Sequence, residues 1–344
     1  MIAFLQEETN GNVFFVIELL RALAENATTL SEVAAQPIPD ELVAGGMIAI
    51  LQRRLARVPD EHQAVLAYAA LIGRELDTEL LHQLLPETDL ETFIQVAADL
   101  AILEPREEAW RFAHDKLREE LVRRLRDDAT DYRAQQRQIA ESIESLYGEQ
   151  AAYVPMLAHH WSEADVPEKA VTYLEQAGMQ MNFWDYEKAA DYIQQAITFD
   201  ERVNNITAKQ QVQRYSILTN AYYGLGENQK AIDAYQKLLS HLGSAPIPSG
   251  NAGMAGRLLK EISTQLRNRS FTGRFVGKRD DHLIDQSAYY ALINISGAMT
   301  YQGAALQSLI ASFVALNLVE EIKVDETVNP AVQYAGLGYF SGVM

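Results

Sequence analysis

Apolar residues recur at helical spacing along most of the chain, and the breaks in that pattern divide it into short helices. Residues 14–26 form one amphipathic stretch, and the polar cluster at 9–12 precedes it as a turn and cap. Two prolines within 34–40 interrupt the pattern, because proline cannot continue a helix. A second helix is therefore predicted from about residue 40 to residue 57.

The next stretch predicts three short helices followed by a β-hairpin. The helices are expected at 60–72, 77–85 and 89–101. Two short apolar runs then flank the polar turn at 105–108, which is typical of a hairpin. Three helices followed by a hairpin is the order of a winged-helix domain, and a further helix is predicted to start near His114.

Beyond about residue 130 the pattern predicts helices only, and part of it repeats. Residues 168–199 and 211–239 each predict two helices joined by a turn. In both pairs a small residue begins the apolar face of the second helix and a large residue follows four positions later: Ala189 with Ile193, and Ala231 with Tyr235. This is the packing pattern of tetratricopeptide-type repeats. The two alanines lie 42 residues apart, compared with roughly 34 for contiguous repeats, so the array is expected to be irregular.

The last third of the chain alternates predicted linkers with predicted helices. Residues 243–254 are rich in Gly, Pro and Ser, and residues 268–282 are polar, so both are predicted to be linkers. Helical patterns resume at 285–302 and 304–322. A repeat array normally ends in a polar capping helix, and none is visible here, so we expect the natural protein to continue further.

Charge and composition narrow the functional classes. Acidic residues outnumber basic ones by 47 to 29, which gives a formal net charge of −18 and argues against nucleic-acid binding. The chain contains no cysteine, which excludes disulfides, thiol catalysis and cysteine-ligated zinc and fits a reducing compartment. It shows neither a signal peptide nor the roughly 20 consecutive apolar residues of a membrane span. We expect a soluble, cytoplasmic protein without a membrane partner.

Two patterns that could suggest a ligand site have a structural explanation. The predicted third helix at 89–101 contains no lysine or arginine and three acidic residues, so it lacks the donors that a DNA-reading helix needs. His159 and His160 precede Glu163, but adjacent histidines on a helix point about 100° apart and are poor joint metal ligands. We therefore expect a structural winged helix and no metal site.

Aromatic and basic clusters are also predicted to be structural. Trp161, Trp184 and the many tyrosines lie at helical spacing, which favours the repeat core over an aromatic ligand cage. The arginines within 118–126 are interleaved with acidic residues, which is typical of a salt-bridged surface.

Two short motifs carry a family resemblance. Residues 9–15 (TNGNVFF) resemble the "GNPFF" element that closes the nucleotide-binding core of STAND-type signalling ATPases, which include maltose-activator-like regulators and multidomain adenylate/guanylate cyclases. Residues 111–120 (RFAHDKLREE) resemble the "FxHD" element that follows their winged helix, and the methionine-histidine-aspartate motif of plant disease-resistance ATPases. The order of the motifs and the helical repeats after them are similar to that architecture.

The resemblance implies a nucleotide site made partly by this chain. Gly11 and Asn12 would shape the turn on the adenine side, His114 would sense the phosphates, and Asp115 would cap the helix. A histidine at a helix start can donate a hydrogen bond to an anion, and the helix amides add to it. Val13 stands where the family has proline, so it would keep an apolar contact to the adenine without the fixed φ and rigid ring of proline.

The phosphate loop of an ATPase is missing from the sequence. No G-x-x-x-x-G-K-[ST] motif occurs, and the nearest match at 273–278 is one residue short between its glycines and is followed by Arg279. The chain is therefore expected to be no enzyme by itself and to hold no cofactor of its own. ATP or ADP with magnesium would bind in the longer protein, whose ATPase core would be joined to this chain.

These observations predict an all-α chain in three parts. Residues 1–58 would be the helical lid that ends an ATPase module, 59–128 a winged-helix domain with one small β-hairpin, and 129–344 an irregular, incomplete tetratricopeptide-like α-solenoid. The leading hypothesis is regulatory: the repeats receive a protein or small-molecule signal, which the winged helix relays to a nucleotide switch. The alternative is a non-enzymatic scaffold that binds partner proteins.

Overall fold

The computed structural model describes residues 51–107, 109–148, 150–203, 206–270, 284 and 286–321. Within these ranges the predicted all-α fold with one small β-hairpin is confirmed. No helix in them is long and apolar enough to cross a lipid bilayer. The predicted helix at 14–26, together with Gly11 and Asn12, lies outside the described residues. The chain divides into two compact units between Gln150 and Ala151.

The first unit contains the predicted three helices and hairpin in the predicted order, preceded by helical residues at 51–55. Its elements are α1 (Asp60–Ile72), α2 (Thr78–Leu84), α3 (Leu90–Asp99), β1 (Leu103–Arg106), β2 (Ala109–Phe112), α4 (Asp115–Leu125) and α5 (Ala129–Tyr147). Aspartate side chains cap three of these helices. Asp77 accepts a hydrogen bond from the amide of Leu80 at 2.9 Å, Asp89 accepts one from Thr92 at 3.1 Å, and Asp128 accepts one from Thr130 at 3.2 Å. Helix α5, predicted as the start of the repeats, packs on α1, α2 and α4 of this unit.

The hairpin is extended by the chain that leaves α1. Leu103 pairs with Phe112 in an antiparallel register, and both side chains are buried. The segment after α1 adds a single bridge between Glu75 and Arg111 on the outer edge of β2. The amide of Phe112 donates to the carbonyl of Arg74 at 2.9 Å. These contacts fix where β2 ends and α4 begins.

The second unit is a stack of helices joined by short turns. Its helices are α6 (Val154–Glu163), α7 (Pro167–Met181), α8 (Tyr186–Thr198), α9 (Ala208–Gly224), α10 (Asn228–His241), α11 (Asn251–Ser270), α12 (Gln286–Tyr301) and α13 (Ala305–Glu321). Consecutive helices form the pairs α7–α8, α9–α10 and α12–α13, and α6 packs on α7 ahead of the first pair. The first helix of each later pair packs on both helices of the preceding pair, which is the stacking of a helical solenoid.

Small and large side chains alternate across the repeat interfaces, as the sequence predicts. Ala189 and Ala231 are fully buried, and so are Ile193 and Tyr235 one turn later. Gly178 on α7 faces Ile193: a Cβ atom at this glycine would lie 2.6 Å from Ile193 Cδ1. Complementary side-chain volumes therefore set the distance between α7 and α8.

The predicted linkers are wrong where α11 stands. This helix spans Asn251–Ser270, so it overlaps both the predicted linker at 243–254 and the start of the one at 268–282. Its buried face is polar, which hides the helical period from a search for apolar residues. The residues on that face are Arg257, Glu261, Gln265 and Asn268. The helix packs on α13, while Leu259 and Leu266 are 69% and 63% exposed.

Candidate functional site

His114 and Asp115 lie at the junction between the hairpin and α4. His114 is the N-cap residue of the helix, with extended backbone angles, and its carbonyl accepts a hydrogen bond from the amide of Leu117 at 3.0 Å. Its side chain does not cap the helix. The cap position that the motif resemblance gives to Asp115 thus belongs to His114. Asp115 is the first helical residue, and its Oδ1 lies 3.2 Å from Nε of Arg74.

The charges at this junction allow only a limited interaction with an anion. A phosphate near the start of α4 would meet the helix amides and the guanidinium of Arg74, but also the carboxylate of Asp115. Asp115 and Arg74 are both about half exposed, so their ion pair is screened by water. Gly11 and Asn12 lie outside the described residues, and their approach to His114 stays a prediction.

A groove runs between α8 and α10 in the second unit, with α9 as its floor. It consists of two clefts of about 490 and 320 Å³ that share Gln194, Tyr222 and Lys230. We call it the α8–α10 groove. The first cleft is further lined by Asp185, Glu187, Lys188, Ala190, Asp191, Leu225 and Glu227. The second is further lined by Ile197, Tyr215, Leu218, Asp233, Ala234 and Lys237.

Two tyrosine rings form the floor of the α8–α10 groove, and a lysine ammonium group lies over the face of each ring. Lys230 Nζ lies 5.4 Å from the ring centroid of Tyr222, and Lys237 Nζ lies 5.3 Å from that of Tyr215. The Tyr215 ring also stacks on His241, with 5.3 Å between the centroids. Burial lowers the pKa of His241, and the charge of Lys237 lowers it further. The floor is thus a fixed aromatic surface with cations above it.

Carboxylates dominate the first cleft. Lys188 Nζ lies 3.0 Å from Asp185, and Lys230 Nζ lies 2.8 Å from Glu227. The backbone amide and the side chain of Lys188 both donate to Asp185 and lower its pKa. These two pairs neutralise both lysines of the cleft. Among the residues that the structure describes, the other two carboxylates of the lining, Glu187 and Asp191 on α8, form no ion pair.

A second surface of the repeats is apolar and exposed. It consists of Met179, Phe183, Trp184 and Tyr290, and we call it the aromatic patch. Trp184, in the turn between α7 and α8, is 88% exposed. The rings of Phe183 and Tyr290 meet edge to face, with centroids 5.5 Å apart. The patch therefore joins the α7–α8 turn to α12.

The adjacent histidines His159 and His160 lie on α6. Within the described ranges, no group of three or more His, Asp or Glu side chains is placed to hold a metal ion. The rings of His159 and His160 are 5.1 Å apart and tilted by 67°. His160 is buried, and burial lowers its pKa to about 3, whereas His159 is exposed. The two histidines thus face different surroundings.

Trp184 is the functional candidate that the sequence pattern misses. Trp161 is 2% exposed and belongs to the core, as predicted, but the prediction that Trp184 also does so is wrong. Trp184 lies between Met181, the last residue of α7, and Asp185, which caps α8, so helical spacing does not apply to it. The capping aspartate Asp185 is the signal that a helix starts here, so that Trp184 lies in a turn and outside the helical spacing. Comparison with protein-family models, with curated proteins and with solved structures finds no match to this chain.

Proposed function

We propose that this chain is a signal-receiving module in which tetratricopeptide-like repeats bind a partner protein. In the longer protein a winged helix would relay the bound state to a nucleotide switch of the STAND type. The single observation that carries the recognition function is the aromatic patch, in which Trp184 is 88% exposed beside Phe183 and Tyr290. Large apolar side chains that stay exposed and contact each other, as Phe183 and Tyr290 do, are typical of a protein interface.

The chemistry of the patch suits a binding hot spot. Tryptophan and tyrosine carry much of the binding energy in protein interfaces, because each buries a large apolar surface and loses little rotamer freedom. The turn that presents Trp184 is held in place: Asn182 Nδ2 donates to Ser287 Oγ at 2.9 Å, and Phe183 packs against Tyr290. A partner would therefore meet a preformed surface and spend little free energy on ordering it.

The relay function rests on the family resemblance and on the order of the elements. Three helices and a hairpin precede α4, and His114 of the "FxHD" element stands at its start. On this proposal His114 and Asp115 favour the nucleotide-closed state, together with Gly11 and Asn12 on the adenine side. ATP or ADP with magnesium would be held by an ATPase core joined to this chain in a cytoplasmic protein.

The patch can be tested with its own fluorescence. The chain has three tryptophans, and Trp184 is the one 88% exposed, so covering it with a partner should shift its emission to the blue. The partner, first identified by cross-linking to the full chain, would be purified and titrated by fluorescence against the full chain. The affinities of the full chain and of Trp184→Ala would be compared by calorimetry, because the variant lacks the reporting side chain. We expect Trp184→Ala to weaken binding by about 2 kcal/mol or more, roughly thirtyfold.

The matched control is an exposed apolar residue outside the patch. Leu259→Ala removes a large exposed side chain from α11 and should leave the affinity unchanged. Equal losses with Trp184→Ala and Leu259→Ala, or no loss with either, would show that the patch does not bind the partner.

The relay needs a separate test on a protein extended at its N-terminus to include an ATPase core. His114→Ala should weaken ADP binding and speed ADP release, while Lys116→Ala, an exposed neighbour paired with Glu119, should do neither. If His114→Ala changes nothing and the partner binds equally with and without nucleotide, the chain acts as a scaffold. Val13 in place of proline is the observation that favours this alternative.

A further inference from the structure

Glu187 and Asp191 are the uncompensated charges of the first cleft of the α8–α10 groove. Both are exposed and lie four residues apart on α8, so they share one face of the helix. Within the described part of the chain neither forms an ion pair, and Asp191 accepts a hydrogen bond only from Gln195, at 2.7 Å. Two like charges in this relation destabilise the helix. A cation between them would remove that repulsion.

The surface beneath these carboxylates suits a long side chain with a charged end. Ala190 and Leu225 provide an apolar wall, and Leu225 is 44% exposed there. Lysine and arginine both lay an aliphatic stem along such a surface and keep the charge in water. Arginine fits two neighbouring carboxylates better, because its planar guanidinium presents several donors in a fixed fork.

The other end of the groove has the opposite charge. Lys237 lies over the Tyr215 ring, and Lys230 stands between the two clefts. Asp233 is the one acidic residue of the second cleft, and it accepts a hydrogen bond from Gln229 at 3.0 Å. An extended segment in the groove would therefore meet carboxylates first and ammonium groups further along. This order of charges defines a direction for the segment.

We propose that the α8–α10 groove binds an extended segment of the partner protein through an arginine placed between Glu187 and Asp191. An acidic residue of the same segment lies toward Lys237. The inference rests on the proposed function, since it assumes that the repeats bind a protein, and it names a second contact region apart from the aromatic patch.

The test uses the full chain and a defined probe. A fluorescein-labelled peptide with an arginine pair, a glycine-serine spacer and a glutamate pair would be titrated by fluorescence anisotropy at low and physiological salt. We expect binding that weakens at least tenfold in Glu187→Gln/Asp191→Asn. A peptide with lysine in place of arginine should bind several-fold more weakly, because an ammonium cannot bridge both carboxylates in a fixed geometry.

The control variant removes the same charge elsewhere. Glu168 and Glu201 are exposed on the same unit and outside the groove, so Glu168→Gln/Glu201→Gln changes the net charge of −18 by the same amount. Equal loss in both double variants would mean general attraction to an acidic protein and would overturn the proposal. Absence of binding to the wild-type chain, or equal affinity for the lysine peptide, would overturn it as well.

Failure of this inference can be told apart from failure of the proposed function. Trp184→Ala should leave the peptide affinity unchanged, since Trp184 does not line the groove. A partner whose binding depends on Trp184 but not on Glu187 and Asp191 would refute the groove proposal and keep the recognition function. Peptide binding in the groove, combined with a partner affinity that is independent of Trp184, would refute the role of the patch instead.

Discussion

The stacked helices α7–α10 and the inserted helix α11 are packed in opposite ways. Between α7 and α10 the contacts are made by small and large apolar side chains, such as Gly178 against Ile193. Helix α11 buries a polar face against α13 and leaves Leu259 and Leu266 exposed. The same solenoid thus contains one interface based on shape and one based on hydrogen bonds.

The polar interface is a connected network. Gln265 Nε2 donates to Asn317 Oδ1 and to Glu320 Oε2, each at 2.7 Å. Asn317 Nδ2 donates in turn to Glu261 Oε2 at 2.6 Å, and Glu261 pairs with Arg257 at 2.9 Å. All five side chains are buried. Hydrogen bonds of this kind fix one register of α11 on α13, whereas apolar contacts tolerate small shifts.

The shape-based region has one buried charge of its own. Arg214 on α9 is fully buried and pairs with Glu175 at 2.5 Å and with Asp200 at 2.6 Å. These partners belong to α7 and to the turn after α8, so the arginine ties three successive elements together. The two regions therefore differ in how many polar side chains they bury. Helices α7–α10 bury one ion-paired arginine, whereas α11 buries an entire polar face.

The largest expected effect tests the shape-based interface. Ile193→Ala removes a fully buried side chain and should cost about 2–5 kcal/mol of unfolding free energy, because a cavity forms against Gly178. Gly178→Ala alone should cost about 1–3 kcal/mol through overpacking. The double variant should be more stable than the sum of the two losses predicts, since the new methyl group occupies space that the isoleucine has left. Urea unfolding followed by circular dichroism measures all three.

A matched pair of substitutions away from the Gly178–Ile193 contact gives the baseline for this double-mutant cycle. Ile217 is buried on α9, and Gly256 on α11 has no atom near its Cβ direction, so Ile217→Ala and Gly256→Ala should be additive. Additive losses for Gly178 and Ile193 would show that their volumes are not coupled.

The second effect concerns pH and a buried histidine in α6. Burial lowers the pKa of His160 from 6.5 to about 3, so between these values the unfolded chain binds a proton that the folded chain does not. The contribution of His160 to stability is complete above pH 6.5 and falls as the pH decreases toward 3, by a loss of up to about 5 kcal/mol, since one pKa unit corresponds to about 1.4 kcal/mol. His160→Leu should flatten this dependence, as measured by urea midpoints across the range.

His159→Leu serves as the control for this experiment, because that neighbouring histidine is exposed. It should leave the acid slope of stability in place. An unchanged slope in His160→Leu would assign the acid sensitivity to other groups.

The third effect tests the polar interface. Asn317→Leu removes the acceptor of Gln265 and a donor to Glu261, and it leaves a buried carboxylate with fewer hydrogen bonds. The expected cost is about 1–3 kcal/mol, with faster hydrogen exchange confined to α11 and α13. Gln302→Leu, in the exposed turn directly after α12, should cost nothing measurable. A stabilised Asn317→Leu variant would mean that α11 is held by apolar contacts after all.

The same contrast explains how much of the fold the sequence predicts. The helices of α7–α10 and the hairpin of the first unit follow from apolar periodicity and from turn residues, and they occur within a few residues of the predicted bounds. Helix α11 could not be found in this way, because residues such as Glu261 and Gln265 occupy its buried face. A pattern search treats buried polar residues as surface, and only the partners on α13 show why they are inside.

The candidate sites also differ in whether they can be predicted from the sequence. His114 could be placed at a helix start from the sequence alone, since an aspartate and a run of helix formers follow it. The α8–α10 groove could not, because its walls come from helices whose packing is set by residues elsewhere. The prediction that Trp184 lies in the core is wrong, because its exposure depends on where α7 ends and α8 begins.

The smallest expected effect lies where the two kinds of interface meet, at Tyr235 on α10. Its ring fills the apolar core, and its hydroxyl is buried near Arg257 and Glu261 of the polar face, with no hydrogen-bond partner among the described residues. Burial raises the pKa of Tyr235, so the group stays a neutral phenol. Tyr235→Phe removes an unsatisfied polar atom and should be neutral or stabilising by up to about 1 kcal/mol in urea unfolding. A loss of more than about 1 kcal/mol would instead show that the hydroxyl takes part in the α11 network. The shape-based and hydrogen-bonded regions would then be coupled through this one residue.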